Sequence, residues 1–474
     1  MINRIIHKER APEFDMFMSA NELCKLEQQG YLEEEYFFSG TANVYGENGK
    51  GGAQILFADA PYTNRLVVRR PQNAHLSSGR VIVEILNSSS YMDIDRVWIL
   101  AHRHLLRNND VYIGVTSKPI TMKTLRKFNK ERYAPLSWNN PRACPYPAEA
   151  LGNFKGASNP ETEDGLFWDM LSDLAVEIRH GAAFLADVPV KQVYLAGWSQ
   201  SAGYMVTYTN YFAKSHHDES RSPLFDGYFA AGAAPMVVPA LNQCEYTDLI
   251  EGQGRIAFAG TPYLLMQTES ENAKLGTFEN RLPFSDNPLL QCRYYDISGS
   301  THDSVESMTN YYRGSLDMQK TGCYLTYPGK EPNANDFPYY FAICAGLQCL
   351  YLWVEKNILP PDVEPIPVDE HLNNLTDNFG NAQKGWRLPE IDVPVCQYRP
   401  HASSLHPNDS TMLYGCEIPF EQNHLRELYG TLSNYRRLVE QTADKAVQNL
   451  FLLPQDREEC IAHSVAKAAK YGLS

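Results

Sequence analysis

Ser199 stands in Val193-Tyr194-Leu195-Ala196-Gly197-Trp198-Ser199-Gln200-Ser201-Ala202-Gly203, an apolar run, a tight turn and a helix-forming run. The small residues Gly197 and Ser201 on either side suit a strained strand-to-helix turn whose neighbours nearly touch. Such a turn lifts the Ser199 hydroxyl to the C-terminal edge of a sheet, and it aims the Gln200 N–H and the helix N-terminus at an oxyanion forming there. The chemistry implied is acyl transfer through a serine nucleophile. The strict pattern ends in glycine, where this chain has Ser201. Read plainly, Ser199 is the N-cap of an ordinary turn. Ser201, within Ser-x-Ser-x-Gly, is a competing nucleophile set later in the turn.

A serine nucleophile needs a base and an orienting acid, here in the chain order serine, acid, histidine. Of thirteen histidines, His302 lies in Ile297-Ser298-Gly299-Ser300-Thr301-His302-Asp303, a small-residue loop directly after the apolar run Arg293–Ile297. That is the expected place for the base. His216 and His217 end a polar helix and read as solvated, while His371, His401, His406, His424 and His463 follow a proline-rich connector. The acid should end the preceding strand, Tyr263–Thr268, and Glu269 and Glu271 follow it. The strand closes at Thr268, which favours Glu271, with Glu269 as the alternative; both also read as exposed loop carboxylates. A second oxyanion donor belongs to the loop after Val81–Leu86, held by Asn87, Ser88 and Ser89.

These residues need a sheet to carry them. Glu34–Tyr45 and Arg65–Arg70 read as strands rich in aromatic and β-branched residues. Gly46, Gly49, Gly51 and Gly52 between them suit a hairpin loop better than a nucleotide-binding loop. Val81–Leu86 and Val111–Val115 are nearly all apolar, as strands covered on both faces should be. Ile94–Leu106, Leu166–Ala183 and Ser201–Lys214 have helical character, and Val193–Ala196, Gly227–Ala234, Tyr263–Thr268 and Arg293–Ile297 read as strands. Residues 118–160 read as a long polar insertion loop, with a second insertion over 236–260. Their aromatics, Phe128, Tyr133, Trp138, Tyr146 and Tyr246, serve either a substrate pocket or the anchoring of the loops. Leu359–Glu370 is an extended proline-rich connector, and Gln422–Gln448 and Glu458–Tyr471 are amphipathic helices. Alternating strands and helices predict an α/β protein with a mostly parallel central sheet flanked by helices.

The net charge of −14 argues against nucleic acid or an anionic membrane surface as a partner. The ten cysteines show no CxxC spacing, and no H-x-x-H motif or carboxylate cluster suggests a metal, so neither metal nor cofactor is expected. Tyr339–Val354 is too short for a membrane span and reads as a buried helix. Unpaired thiols and a start without an apolar leader segment point to a cytoplasmic protein.

The chain also resembles a family of alpha/beta hydrolase domain proteins. The resemblance runs from about Glu33 to the C-terminal helices. It is carried by Glu34–Ala42, Pro61–Pro71, Val83–Asn87, Gly-x-Ser-Gln-Ser at 197–201, Gln-Thr-Glu at 267–269 and Gly-Ser-Thr-His at 299–302. Asp377–Asn381, Arg387–Pro389 and Asp392–Pro394 extend it. Glu271 departs from it, since the family tends to carry aspartate there. The resemblance implies the α/β-hydrolase fold in one domain over 1–474, with a catalytic core about 33–330 and a C-terminal extension about 331–474 packed on it. It implies a carboxylic-ester hydrolase acting on a small-molecule ester, with Ser199, His302 and Glu271 or Glu269 as the triad and Gln200, Asn87 and Ser88 around the oxyanion. The alternatives are an acyltransferase, amidase or lactonase on the same residues, or an inactive binding protein of the same fold. Neither the ester nor the oligomeric state is implied.

Overall fold

The computed structural model describes residues 1–9, 16–142, 161–216, 222–233, 240–243, 256–272, 284–307, 315–322, 333–401 and 413–474. In chain order its strands are β1 (Ile2–Lys8), β2 (Tyr31–Glu47), β3 (Ala53–Pro71), β4 (Arg80–Ile85), β5 (Val111–Val115), β6 (Gln192–Trp198), β7 (Gly227–Ala231), β8 (Tyr263–Thr268), β9 (Ser285–Asn287), β10 (Leu290–Ile297), β11 (Cys396–Arg399) and β12 (Cys416–Pro419). Its α-helices are α1 (Ala20–Cys24), α2 (Arg96–Asn108), α3 (Thr121–Phe128), α4 (Lys130–Tyr133), α5 (Phe167–Arg179), α6 (Gln200–Tyr211), α7 (Leu316–Thr321), α8 (Tyr340–Lys356), α9 (Pro389–Asp392), α10 (Gln422–Tyr429), α11 (Leu432–Gln448) and α12 (Arg457–Lys470). They fall into two compact units. The first holds residues 1–263, 285–292 and 314–324, and the second holds 264–284, 293–313 and 325–474.

In the first unit the strands lie in the order β1-β2-β3-β5-β4-β6-β7. The pairs β5-β4, β4-β6 and β6-β7 are parallel, as expected. The pairs β1-β2, β2-β3 and β3-β5 are antiparallel; the hairpin loop read between β2 and β3 implied the second of these, and the other two were not suggested by the sequence. β2 and β3 form a hairpin closed by the glycine-rich turn between Glu47 and Ala53; so short a reversal can join only antiparallel neighbours.

Val81, Ile82, Val83 and Ile85 of β4 are fully buried, and so is Glu84 between them. Its carboxylate accepts from the N–H groups of Val97 at 2.7 Å and Trp98 at 3.0 Å, and from the Tyr112 hydroxyl at 2.8 Å. The strand thus satisfies two amides at the start of α2 that would otherwise be orphaned. Asp95, the N-cap by position, has its side chain elsewhere, at 2.6 Å from Arg69 Nη1. Arg69 also pairs with Glu33 at 2.8 Å, while Arg65 pairs with Glu35 at 2.5 Å and with Asp93 at 3.0 Å. All six of these side chains are buried, so removing Arg69 would strand the buried Glu33 and Asp95 carboxylates at a cost of about 3–5 kcal/mol.

Residues 118–160 are not one loop: α3 and α4 lie within them. Thr121, Met122, Thr124, Leu125 and Phe128 form the buried face of α3, and the Asn129 side chain caps α4 by accepting from the Arg132 N–H at 3.0 Å. Phe128, Tyr133 and Trp138 are buried anchors there, whereas Tyr146 and Tyr246 lie outside the described residues, as does most of the 236–260 insertion. His216 is half-buried rather than solvated, its Nδ1 2.7 Å from Ser172 Oγ; His217 and His406 lie outside the described residues.

In the second unit β8 and β10 are neighbours, and the C-terminal part packs on them. Trp386 N–H donates to the Asp296 carbonyl of β10 at 2.7 Å, and Asn335 Nδ2 donates to the Gly299 carbonyl at 3.0 Å. The apolar run 339–354 forms the buried helix α8. Gly346 of α8 passes so close to β8 that a Cβ there would lie 2.0 Å from Met266 Sδ. The single helix expected over 422–448 is two: Gly430 takes φ +71° after α10, and Thr431 caps α11 by accepting from the Asn434 N–H at 3.2 Å. Among the described residues no helix is long and apolar enough to cross a membrane.

Candidate functional site

β6 ends at Trp198, and Ser199 follows with φ +58° and ψ −120°. A residue with a Cβ rarely holds a positive φ, and doing so costs about 1–3 kcal/mol. The turn is held from both sides. Ser199 N–H donates to the Ala231 carbonyl of β7 at 2.9 Å, and the Ser199 carbonyl accepts from Ala202 at 3.0 Å and Gly203 at 3.3 Å. Gly197 is required here, because a Cβ would stand 2.8 Å from the Ser201 carbonyl carbon. Ser199 is partly exposed, whereas Ser201 is buried inside the first turn of α6. Only Ser199 presents a hydroxyl outward.

The loop after β4 is tied to this turn. Asn87 Nδ2 donates to the Trp198 carbonyl at 3.0 Å, and Ser88 Oγ donates to Gln200 Oε1 at 2.8 Å. The Asn87 N–H is engaged with the Ile94 carbonyl at 2.9 Å, and the Ser89 N–H with Asn87 Oδ1, also at 2.9 Å. Of the three, Ser88 is the one whose N–H meets no acceptor among the described residues. Asn87 thus has its N–H and a side-chain donor engaged within the protein.

The second unit carries the expected base and both acids. β8 ends at Thr268, and residues 269–271 form a single 3₁₀ turn closed by a capping box: the Glu271 carboxylate accepts from the Thr268 N–H at 2.7 Å and from its hydroxyl at 3.0 Å. The same carboxylate lies 2.5 Å from His302 Nδ1. A neutral His302 that donates Nδ1–H to Glu271 keeps its lone pair on Nε2. Ser270 Oγ fixes the loop by accepting from the His302 N–H at 2.9 Å.

Glu269 is turned the other way. Its carboxylate accepts from the Gly299 N–H at 2.6 Å and from Asn374 Nδ2 at 3.3 Å. Burial pushes this carboxyl up to about 7 despite those donors. Other histidines have structural surroundings. Burial drives His102 down to about 4 and His104 to about 3, and His463 lies 3.3 Å from the buried Glu390 carboxylate. Among the described residues no group of three or more His, Cys, Asp or Glu could hold a metal ion. The described cysteines form no disulfide with one another, and all but Cys24 are buried.

Two buried groups near the elbow escaped the sequence reading. One is Glu84, hidden in an apolar run. The other is Lys118, three residues past β5 and only 8% exposed; the polar composition around it hid its burial.

The alpha/beta hydrolase domain model matches residues 8–462 of the chain. No curated protein matches it. Among solved structures, a carboxylesterase from Lactobacillus plantarum is 11% identical, covering 64% of this chain and 96% of its own, with a TM-score of 0.32. An alpha-beta serine hydrolase homologue from Coxiella burnetii is 11% identical over 55% of this chain and 89% of its own, with a TM-score of 0.29. A Rhizomucor miehei esterase is 12% identical over 67% and 93%, with a TM-score of 0.28.

Proposed function

The chain belongs to the alpha/beta hydrolase domain family, and we propose that it is a serine hydrolase that cleaves a carboxylic ester through an acyl-enzyme. Ser199 is the nucleophile, His302 the general base, and Glu271 the group that orients the imidazole. The Ser199 oxygen attacks the ester carbonyl as its proton passes to His302 Nε2, and the imidazolium then protonates the departing alkoxide. Water, deprotonated by the same imidazole, attacks the acyl-enzyme and releases the acid. The N–H groups of Gln200 and Ser88 receive the oxyanion, and losing one such donor costs about 2.7–4 kcal/mol in the transition state.

The observation that carries this reading is the positive φ of Ser199. An ordinary N-cap has extended backbone and its side chain turned onto the helix amides; Ser199 has neither feature. The His302–Glu271 pair supports it, because an Nδ1–H donated to Glu271 would leave Nε2 as the basic nitrogen.

Intact mass after treatment with a fluorophosphonate, beside a Ser199→Ala control, tests the proposal. A single adduct on the wild type alone is expected, together with a turnover loss of about 10⁶-fold in the variant and an unchanged fold. A folded wild type that takes no label would overturn the reading and favour a binding protein of the same fold. Product analysis with water and alcohol as competing acceptors separates a hydrolase from an acyltransferase, and amide and lactone substrates separate the remaining alternatives.

A further inference from the structure

Strands β5, β4 and β6 end level with one another: Val115 pairs with Ile85, and Ile85 with Gly197. The segments that follow, 116–118, 86–88 and 198–200, therefore leave the sheet side by side at the edge that carries Ser199. They are also bonded laterally, Ser117 Oγ to the Leu86 carbonyl at 2.7 Å and Asn87 to Trp198.

Lys118 belongs to this row. Its carbonyl is fixed by the Thr121 hydroxyl at 3.0 Å, and its ammonium lies 5.6 Å from the centre of the Tyr204 ring. Tyr204 is five residues beyond Ser199 on α6, or about 7 Å along the helix. The third group is Asp164, which interacts electrostatically with both Lys118 and Tyr204. Among the described residues the Lys118 ammonium has no hydrogen-bond acceptor and no ion-pair partner, Asp164 included, and the Tyr204 hydroxyl and the Asp164 carboxylate are likewise unbonded. Lys118 is 8% exposed and Tyr204 only 2%.

An ammonium that meets no protein acceptor on so deeply buried a side chain is costly. Burial does pull the Lys118 ammonium down from its usual range, and Asp164 acts against that pull. The cluster offers up to four donors, three on Lys118 and one on Tyr204, and one half-buried carboxylate. It is short of acceptors, so the group that completes it should be rich in oxygen and negatively charged.

Building on the serine-hydrolase reading, we propose that Lys118 and Tyr204 bind a carboxylate at the far end of the substrate's acyl chain, so that the preferred substrates are half-esters of dicarboxylic acids. The ammonium and the hydroxyl donate to the distal carboxylate while the ester carbonyl sits at Ser199. The separation along α6 calls for an acid of several carbons.

The test compares aryl half-esters of succinate, glutarate, adipate and suberate with neutral acyl esters of matched length. The wild type should prefer the charged ester at one or two chain lengths. Lys118→Gln should lower the charged-to-neutral ratio of kcat/KM by about 10- to 100-fold, the worth of a hydrogen bond to a charged group, and Lys118→Arg should restore part of it. A wild-type ratio at or below one for every length overturns the proposal without recourse to a variant, as does a ratio unmoved in a folded Lys118→Gln protein. If Ser199 takes no fluorophosphonate and no ester is cleaved, it is the hydrolase reading that has failed, and the site is then decided by calorimetry with free glutarate and adipate. Binding to the wild type that is lost in Lys118→Gln supports an anion site, and no binding to the wild type overturns it.

Discussion

The turn at Ser199 and the loops holding His302 and Glu271 solve opposite problems. At Ser199 the strain is in the backbone: φ is positive, Gly197 is pressed against residue 201, and the side chain is left without a capping bond. Around His302 the geometry is fixed by hydrogen bonds. Ser270 holds the backbone, Thr268 holds Glu271, and Glu271 holds the ring. The difference follows from what each side chain must do. A nucleophile must present an oxygen with no internal partner, so its position has to be set by the main chain. A base must present one chosen nitrogen, so the other must be occupied.

Glu271→Gln puts the most weight on the second half of that contrast. The amide can still close the capping box but cannot hold the imidazole as a carboxylate does, so kcat should fall by about 10³- to 10⁴-fold with little change in melting temperature. Steady-state kinetics beside thermal unfolding would reveal a mere structural role for Glu271 as the reverse pattern.

Glu269→Gln should behave quite differently from its neighbour two residues on, leaving turnover within a few-fold. Its effect is on stability. In the unfolded chain this carboxyl titrates near its ordinary value of 4.5, and in the fold near 7. Between those values the folded protein binds the extra proton, so stability is full below about 4.5 and is lost as pH rises toward 7. The loss attributable to this group is about 2–3 kcal/mol. Urea unfolding from pH 4.5 to 7.5 should show a flatter profile in the variant, and parallel profiles would sink the assignment.

Ser199→Gly bears on the first half of the contrast and gives the smallest effect on stability. Glycine holds a positive φ without strain but gains freedom in the unfolded chain. The net expectation is about 1 kcal/mol of added stability with turnover abolished. A destabilised variant would mean that the Ser199 hydroxyl contributes to the fold.

Much of the fold and part of the candidate site were legible in the sequence. The bounds of β5 and β8 coincide with their apolar runs, because a strand covered on both faces is apolar throughout and its ends are marked by turn residues. The elbow was legible because strain demands small neighbours. Helices α3 and α4 were lost among basic and polar residues whose burial pattern depends on tertiary contacts. The choice between Glu269 and Glu271 turns on a single 3₁₀ turn that sends adjacent carboxylates in opposite directions. Asn87 and Ser88 sit in one short loop, and only the bridge to Ile94 shows whose N–H is already occupied.

Glu84 passed unremarked within an apolar strand, yet it is the acceptor for the first amides of α2. A cap carried on the helix itself would let α2 begin as an independent helix. A cap delivered from a strand 13 residues back, the sequence separation between Glu84 and Val97, withholds that option. The order of events in folding is thereby constrained: β4 must dock before the first turn of α2 gains its acceptor, so this strand and this helix form and open as one cooperative step.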